Sequence, residues 1–240
     1  MQKKIKKGVT IITSTIRPAY MNNVFLNYSR QNWRAKELII VLNKDNIDIT
    51  AYKQKASYYP NVRVFELSER HSLGECLNYA VSRARYNYIS KFDDDDYYAP
   101  NYIPEAMQLF NRRKTADIVG KQAFYVYFPH RNTLLLRRKS ARPYNQCRHI
   151  AGATIIFHRR VFRTVQFIKV ARGTDARFLS TCLKRGFRMY SSSKYNFAAI
   201  RRHNVHSHTW RISERALLTE KDKQIIRTPD YRRYVNRSLS

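Results

Sequence analysis

Short apolar runs separated by amphipathic stretches organise the first half of the chain. Val9-Thr10-Ile11-Ile12-Thr13 is compact and β-branched, Glu37–Leu42 is apolar enough to be buried on both faces, and Val62–Leu67 and Tyr88–Phe92 follow the same theme. Runs of this kind predict strands of a mostly parallel sheet. Between them Met21, Val24, Phe25 and Tyr28 recur at helical spacing, and a looser helical stretch runs up to Tyr59. Leu73, Leu77, Ala80, Val81 and Ala84 define the clearest helix, with Ser72 and Glu75 placed to form a capping box at its start. A further helix is expected over Tyr102–Phe110 and a short strand over Ala116–Gly120. Such strand–helix alternation specifies an α/β domain.

The second half has a different texture. Ala123–Phe128, Thr133–Arg137 and Ala153–His158 read as strands of a more antiparallel arrangement. Gly173-Thr174-Asp175 leads into a helix with Phe178, Leu179, Cys182 and Leu183 on one face and Gly186 as its stop. Two short strands are expected around Met189 and Phe197, and helical potential near Glu214–Ile226. No repeat or flexible linker interrupts the chain.

In parallel sheets ligands bind beyond the carboxyl ends of the strands. The polar segments Thr13–Arg17, Asn43–Asp45 and Asp93–Asp96 all fall there, so three loops converge on one crevice. The last of them is a run of four consecutive aspartates. Like charges at contact distance repel by several kcal/mol at an effective dielectric of about 20. A divalent cation such as Mg²⁺ or Mn²⁺, which takes oxygen ligands, would neutralise them; a solvated acidic turn is the alternative.

Composition sharpens the contrast around that run. The 240 residues carry a formal net charge of +29, with 18 Tyr and 12 Phe arguing for a folded core. So much positive charge predicts an anionic partner. Clusters lie at Lys3–Lys7, Arg137–Arg142 and Arg232–Arg237, and the middle cluster and the tail motivate a contact with an anionic acceptor or an acidic membrane leaflet. Otherwise basic residues are dispersed, and no helix-turn-helix or RNP-like motif appears, which counts against specific nucleic-acid binding. Three separated cysteines, Cys76, Cys147 and Cys182, imply free thiols and a reducing, cytoplasmic setting. No apolar run is long enough to span a bilayer, and the start lacks the apolar stretch of a signal peptide. Gly-rich phosphate loops, a Gly-X-Ser-X-Gly elbow, kinase motifs and zinc-ligand spacings are absent.

Four stretches together resemble the family 2 glycosyltransferases of GT-A fold. These are the strand leading into Thr13-Ser14-Thr15-Ile16-Arg17-Pro18, the helix from Gly74 to Ala84, Tyr88 to Asp96 with Pro100 beyond it, and Gly173-Thr174-Asp175-Ala176-Arg177-Phe178-Leu179 with Gly186-Phe187. The resemblance covers roughly residues 8 to 210. It implies a Rossmann-like, mostly parallel sheet with helices on both faces, plus a smaller mixed or antiparallel acceptor-side part. Residues 1–210 would form one domain, with 1–120 the nucleotide-binding half and 121–210 the acceptor half. Residues 211–240 would form a basic helical tail.

By the same resemblance, Thr13, Thr15, Arg17, Asn43, Arg70, Gly74, Asn78, Asp93 and Asp94 would contact the donor nucleotide, with Asn43 standing where the family usually has Asp. Asp95 would bind Mn²⁺ or Mg²⁺, joined by His208, with His206 as its competitor. Asp175 would be the base, and Thr174 takes the place of a frequent Glu; a helix-capping role for Asp175 is the other reading. Gly152 and Trp210 would face the acceptor, although Trp210 could equally fill the core edge. The implied reaction is inverting transfer from a UDP- or dTDP-sugar to a sugar or glycopolymer hydroxyl, in cell-surface, spore-coat or wall polysaccharide synthesis. Peripheral membrane contact and homo-oligomerisation stay open. The competing reading is a basic polyanion-binding protein with a degenerate transferase site.

Overall fold

The apolar runs become strands of two sheets that share a core. The computed structural model describes residues 7–170, 173–202 and 212–239. In the first half β1 (Val9–Thr15), α1 (Met21–Ser29), β2 (Lys36–Leu42), α2 (Ile49–Ser57), β3 (Val62–Glu66), α3 (Leu73–Ser82) and β4 (Tyr88–Lys91) alternate. A short strand β5 (Tyr97–Tyr98), α4 (Tyr102–Arg112) and β6 (Ile118–Gly120) follow. Next come β7 (Phe124–Phe128), β8 (Thr133–Arg137), β9 (Ile156–His158) and α5 (Thr174–Lys184). The chain closes with β10 (Met189–Ser191), β11 (Phe197–Ile200), α6 (Glu214–Leu218), β12 (Lys223–Arg227) and α7 (Arg232–Val235).

The larger sheet has seven strands in the order β10-β6-β9-β4-β1-β2-β3. All run parallel except β9, which lies antiparallel between β4 and β6. Alternation along each strand divides the core. Val9 and Ile11 of β1, with Leu38 and Ile40 of β2, pack with Phe25, Tyr28, Ile103 and Met107 on one face. Ile12, Ile39 and Val41 turn to the other face and meet Leu77 and Val81 of α3 and Phe178 of α5. Each fully buried aliphatic or aromatic side chain contributes roughly 1.5–3 kcal/mol. The smaller sheet, in the order β12-β8-β7-β11-β5, is mixed: β7 and β11 are parallel, the other pairs antiparallel.

The capping box of α3 is present in both halves, with Glu75 N donating to Ser72 Oγ and Ser72 N donating to Glu75. Elsewhere the elements depart from expectation. The strand expected over Ala153–His158 begins only at Ile156, because Gly152–Thr154 close a tight turn. The helical potential over Glu214–Ile226 is realised only over Glu214–Leu218. Lys223–Arg227 instead form a strand paired with β8, and Val235 beyond it is fully buried. A β-branched pair, Ile225-Ile226, beside an open strand edge outweighs weak local helix propensity.

Candidate active site

The carboxyl ends of β1 and β4 lie side by side, and the aspartate run leaves the second of them. Its members have unlike surroundings. Asp94, 3% exposed, accepts a hydrogen bond from Thr15 Oγ1 and a two-pronged contact from the Arg17 guanidinium. Burial pushes its pKa up against the pull of Arg17. Asp95 meets Arg17 at 3.1 Å and Arg202 at 2.7 Å. Burial opposes its charge, yet these guanidiniums prevail and hold its pKa below the ordinary value. Asp96 is a framework group: its carboxylate accepts from Ile200 N at 3.0 Å, and its backbone carbonyl accepts from Asn23 and Asn27. Burial, then Asp95 and Asp93, raise its pKa well above the usual carboxylate range.

Asp93 points the other way, toward Lys91. The Lys91 ammonium, 2% exposed, bridges Asp93 and, at 3.0 Å, Asp175 Oδ2. Burial works against that charge, but the two carboxylates overcome it and raise the lysine pKa. Asp175 stands in the first turn of α5. Its own pKa is raised by burial, with Lys91 opposing and Asp93 adding to the rise. Asp175 Oδ1 is buried and has no hydrogen-bond partner among the described residues. Gly152 packs directly on this carboxylate: a Cβ there would lie 2.6 Å from Oδ2. Hence the aspartate run and the start of α5, far apart in sequence, share one cleft through one lysine. Lys91 escaped the sequence reading; the signal was a lone cation closing an otherwise apolar strand, two residues before an acid.

Tyr98 ties the cleft together. Its ring stacks on Phe92 with centroids 3.7 Å apart. Its hydroxyl accepts from Asp93 N at 2.8 Å and donates to Ala153 O at 2.7 Å. The loops after β2 and β3 are likewise fastened, with Asn43 Nδ2 donating to Ser68 O and Glu69 N donating to Asp45.

Residues 10–169 match the family described as Glycosyl transferase family 2. The chain belongs to glycosyl transferase family 2. Solved structures agree on the fold of this family 2 domain. TarS residues 1–349 of S. aureus, in complex with UDP-GlcNAc, superposes with a TM-score of 0.64 at 14% identity, covering 82% of this chain and 59% of that one. The mannosyltransferase PcManGT of Pyrobaculum calidifontis, in complex with GDP-Man and Mn²⁺, gives 0.62 at 17% identity, covering 80% of this chain and 56% of that one. The family 2 domain thus spans under two thirds of the length of either neighbour. A search of curated proteins gave no match.

The donor-side expectations fall into two groups in this family 2 domain. Thr15, Arg17, Asn43 and Asp93 line the strand ends, and Arg70 is exposed on the loop before α3. Thr13, by contrast, is sealed within β1, and Asp94 is committed to Thr15 and Arg17. Both edges of the Asn78 amide are spent on the backbone of Phe167, at 2.8 and 2.9 Å. Gly74 is a close-approach position, since a Cβ would lie 2.1 Å from the Ile168 carbonyl. All four make these contacts within the fold. His206, His208 and Trp210 lie outside the described residues.

Among the described residues no three His, Cys, Asp or Glu side chains gather to cage a metal. Such a cage is not required. Mg²⁺-type sites use one or two carboxylates and complete their shell with substrate phosphates and water. Asp95, whose guanidinium neighbours hold its pKa below the ordinary value, fits that requirement.

Proposed function

We propose that this domain transfers a sugar from a nucleotide-diphosphate donor to a hydroxyl acceptor, with inversion at the anomeric carbon. The observation that carries this reading is the unpartnered, buried oxygen of Asp175 beside the aspartate run. A carboxylate oxygen left without a donor in such a place is a costly arrangement. An incoming alcohol relieves it by donating its proton. Lys91 holds the other oxygen, so the reactive one keeps a fixed direction. As the acceptor oxygen forms its bond to the anomeric carbon, the sugar–phosphate bond breaks on the opposite side. The acceptor proton passes to Asp175, and the electron pair leaves with the diphosphate.

Arg17 and Arg202, at the mouth of the run, are suited to receive the donor phosphates, since guanidinium forks match phosphate geometry. Asp95 would hold a divalent cation that offsets charge on the leaving group. Thr15, Asn43 and Arg70 would border the nucleoside. In this reading residues 1–120 serve the donor and 121–210 the acceptor, with Gly152 setting the acceptor-side wall against Asp175. The structural neighbours were solved with UDP, UDP-GlcNAc and GDP-Man. The donor panel therefore includes UDP-, dTDP- and GDP-sugars.

Asp175→Asn tests the reading: donor affinity by calorimetry should stay as in wild type while transfer is lost. Transfer at wild-type rate by that variant removes Asp175 from the reaction. Asp95→Ala should erase whatever part of donor affinity depends on Mn²⁺, and unchanged metal dependence would move the cation elsewhere.

A further inference from the structure

The amino ends of the parallel strands form the face opposite the candidate active site, and this face is almost purely cationic. Lys7 and Arg34 precede β1 and β2, while Arg83 and Arg85 precede β4. Arg112, Arg113 and Lys114 lead into β6, and Arg160 and Arg163 follow β9, whose end points the same way. Lys184, Arg185 and Arg188 lead into β10. All of these are exposed. The acids at this end are Glu37 and Asp117, 1% and 8% exposed. Both are consumed internally, Glu37 by Thr10, Arg63 and Arg85, and Asp117 by Arg160 and the Arg188 amide.

These turns form one continuous surface. Arg63 donates to Arg83 O, Arg159 to Ala84 O, Arg159 N to Asn87 O, and Asp117 N to Arg188 O. Lys7 reaches Asn111 at the end of α4. Helix C-termini at this edge favour some positive charge. One or two cations per helix would satisfy them, and the run of exposed cations is longer than that.

We propose that this face docks the protein on an anionic lipid bilayer. Seven strands at about 4.8 Å spacing make a face roughly 30 Å wide. Its cations are spread across that width, as a planar anionic surface requires. Base recognition in a nucleic acid would call for an element entering a groove or aromatic platforms for bases. Of the exposed large apolar side chains, Ile16 after β1 and Ile225 in β12 lie away from this face, while Tyr58 in the turn leading into β3 stands at its edge. With cations outnumbering apolar groups along these turns, attachment is chiefly electrostatic, reversible and salt-sensitive. The candidate active site then opens toward water. This docking does not depend on the catalytic reading.

The test is flotation of the full chain with phosphatidylcholine vesicles carrying a minority of phosphatidylglycerol, at about 0.15 M salt. Pure phosphatidylcholine is the control lipid. An edge variant combines Lys114→Gln, Arg163→Gln, Lys184→Gln, Arg185→Gln and Arg188→Gln, side chains that make no ion pair among the described residues. A charge-matched control combines Lys139→Gln, Arg142→Gln, Arg215→Gln, Lys221→Gln and Arg233→Gln around the smaller sheet. Wild type should float with the anionic vesicles alone, and the edge variant should lose about 100-fold or more in affinity. The control variant should lose only a few-fold, and soluble-acceptor transfer should be unchanged in the edge variant. Three results overturn the proposal: no flotation of wild type, equal losses in the two variants, or tighter binding of a short DNA duplex than of vesicles at the same salt, abolished in the edge variant.

Discussion

The two ends of the seven-stranded sheet use charge in opposite ways. At the carboxyl end, carboxylates collect beyond β4 and α5, and Arg17, Arg202 and Lys91 are brought inward to meet them. At the amino end, the two carboxylates are buried and matched, and the unmatched charge is all cationic and outside. The same interaction type therefore serves different purposes. Ion pairs at the amino end close the fold. Those at the carboxyl end leave one Asp175 oxygen without a donor among the described residues.

That contrast predicts which variants lose activity and which lose stability. The largest effect should come from Asp175→Asn, which should lower kcat by about 1000-fold with an unchanged melting curve. At the other end, Glu37→Ala removes the partner of Arg63 and of the Arg85 amide in a sealed site. Chemical denaturation should show a loss of about 3 kcal/mol, with kcat intact in the remaining folded protein. Similar kcat losses from both substitutions would erase the distinction between the ends.

Lys91→Met should cut kcat by about 100-fold and also move the pH profile. Asp175 must be ionised to accept a proton, so activity falls as pH drops through its pKa. Burial already raises that pKa and Lys91 opposes the rise. Removing the ammonium should shift the acid limb to higher pH, and Lys91→Arg should restore part of it. A lysine that only filled space would leave the limb in place. Gly152→Ala presses a methyl group against the Asp175 carboxylate and should lower kcat about 10-fold while donor affinity holds.

The smallest effect is expected at Asp96, whose folded pKa lies well above its unfolded value. The folded state therefore holds this proton more tightly, and stability falls as pH rises from the ordinary carboxylate range toward the raised value. Asp96→Asn keeps an acceptor for Ile200 N and removes that penalty. Its stability should match wild type at low pH and exceed it at pH 8.

Much of the cleft was legible because its parts are local. The strand before the aspartates, the capping box of α3 and the acid at the start of α5 are each written in a few adjacent residues. What stayed hidden depends on where distant segments land. Lys91 acquires its role only when α5 delivers Asp175 to it. The strand Lys223–Arg227 exists because β8 offers an edge, and Tyr97–Tyr98 is too short to announce itself. The basic face shows the same limit more sharply. Its residues are dispersed along the chain, and that dispersal argues against a docking surface when read in sequence. Parallel strands all begin at one edge, however, so turns separated by scores of positions become neighbours.

The Tyr98 hydroxyl fastens Asp93 N on one side and Ala153 O on the other, and Ala153 adjoins the glycine that rests on Asp175. A phenol at the centre of the molecule thus couples the aspartate loop to the turn that rests on Asp175, so neither segment can shift alone without costing one of these two bonds.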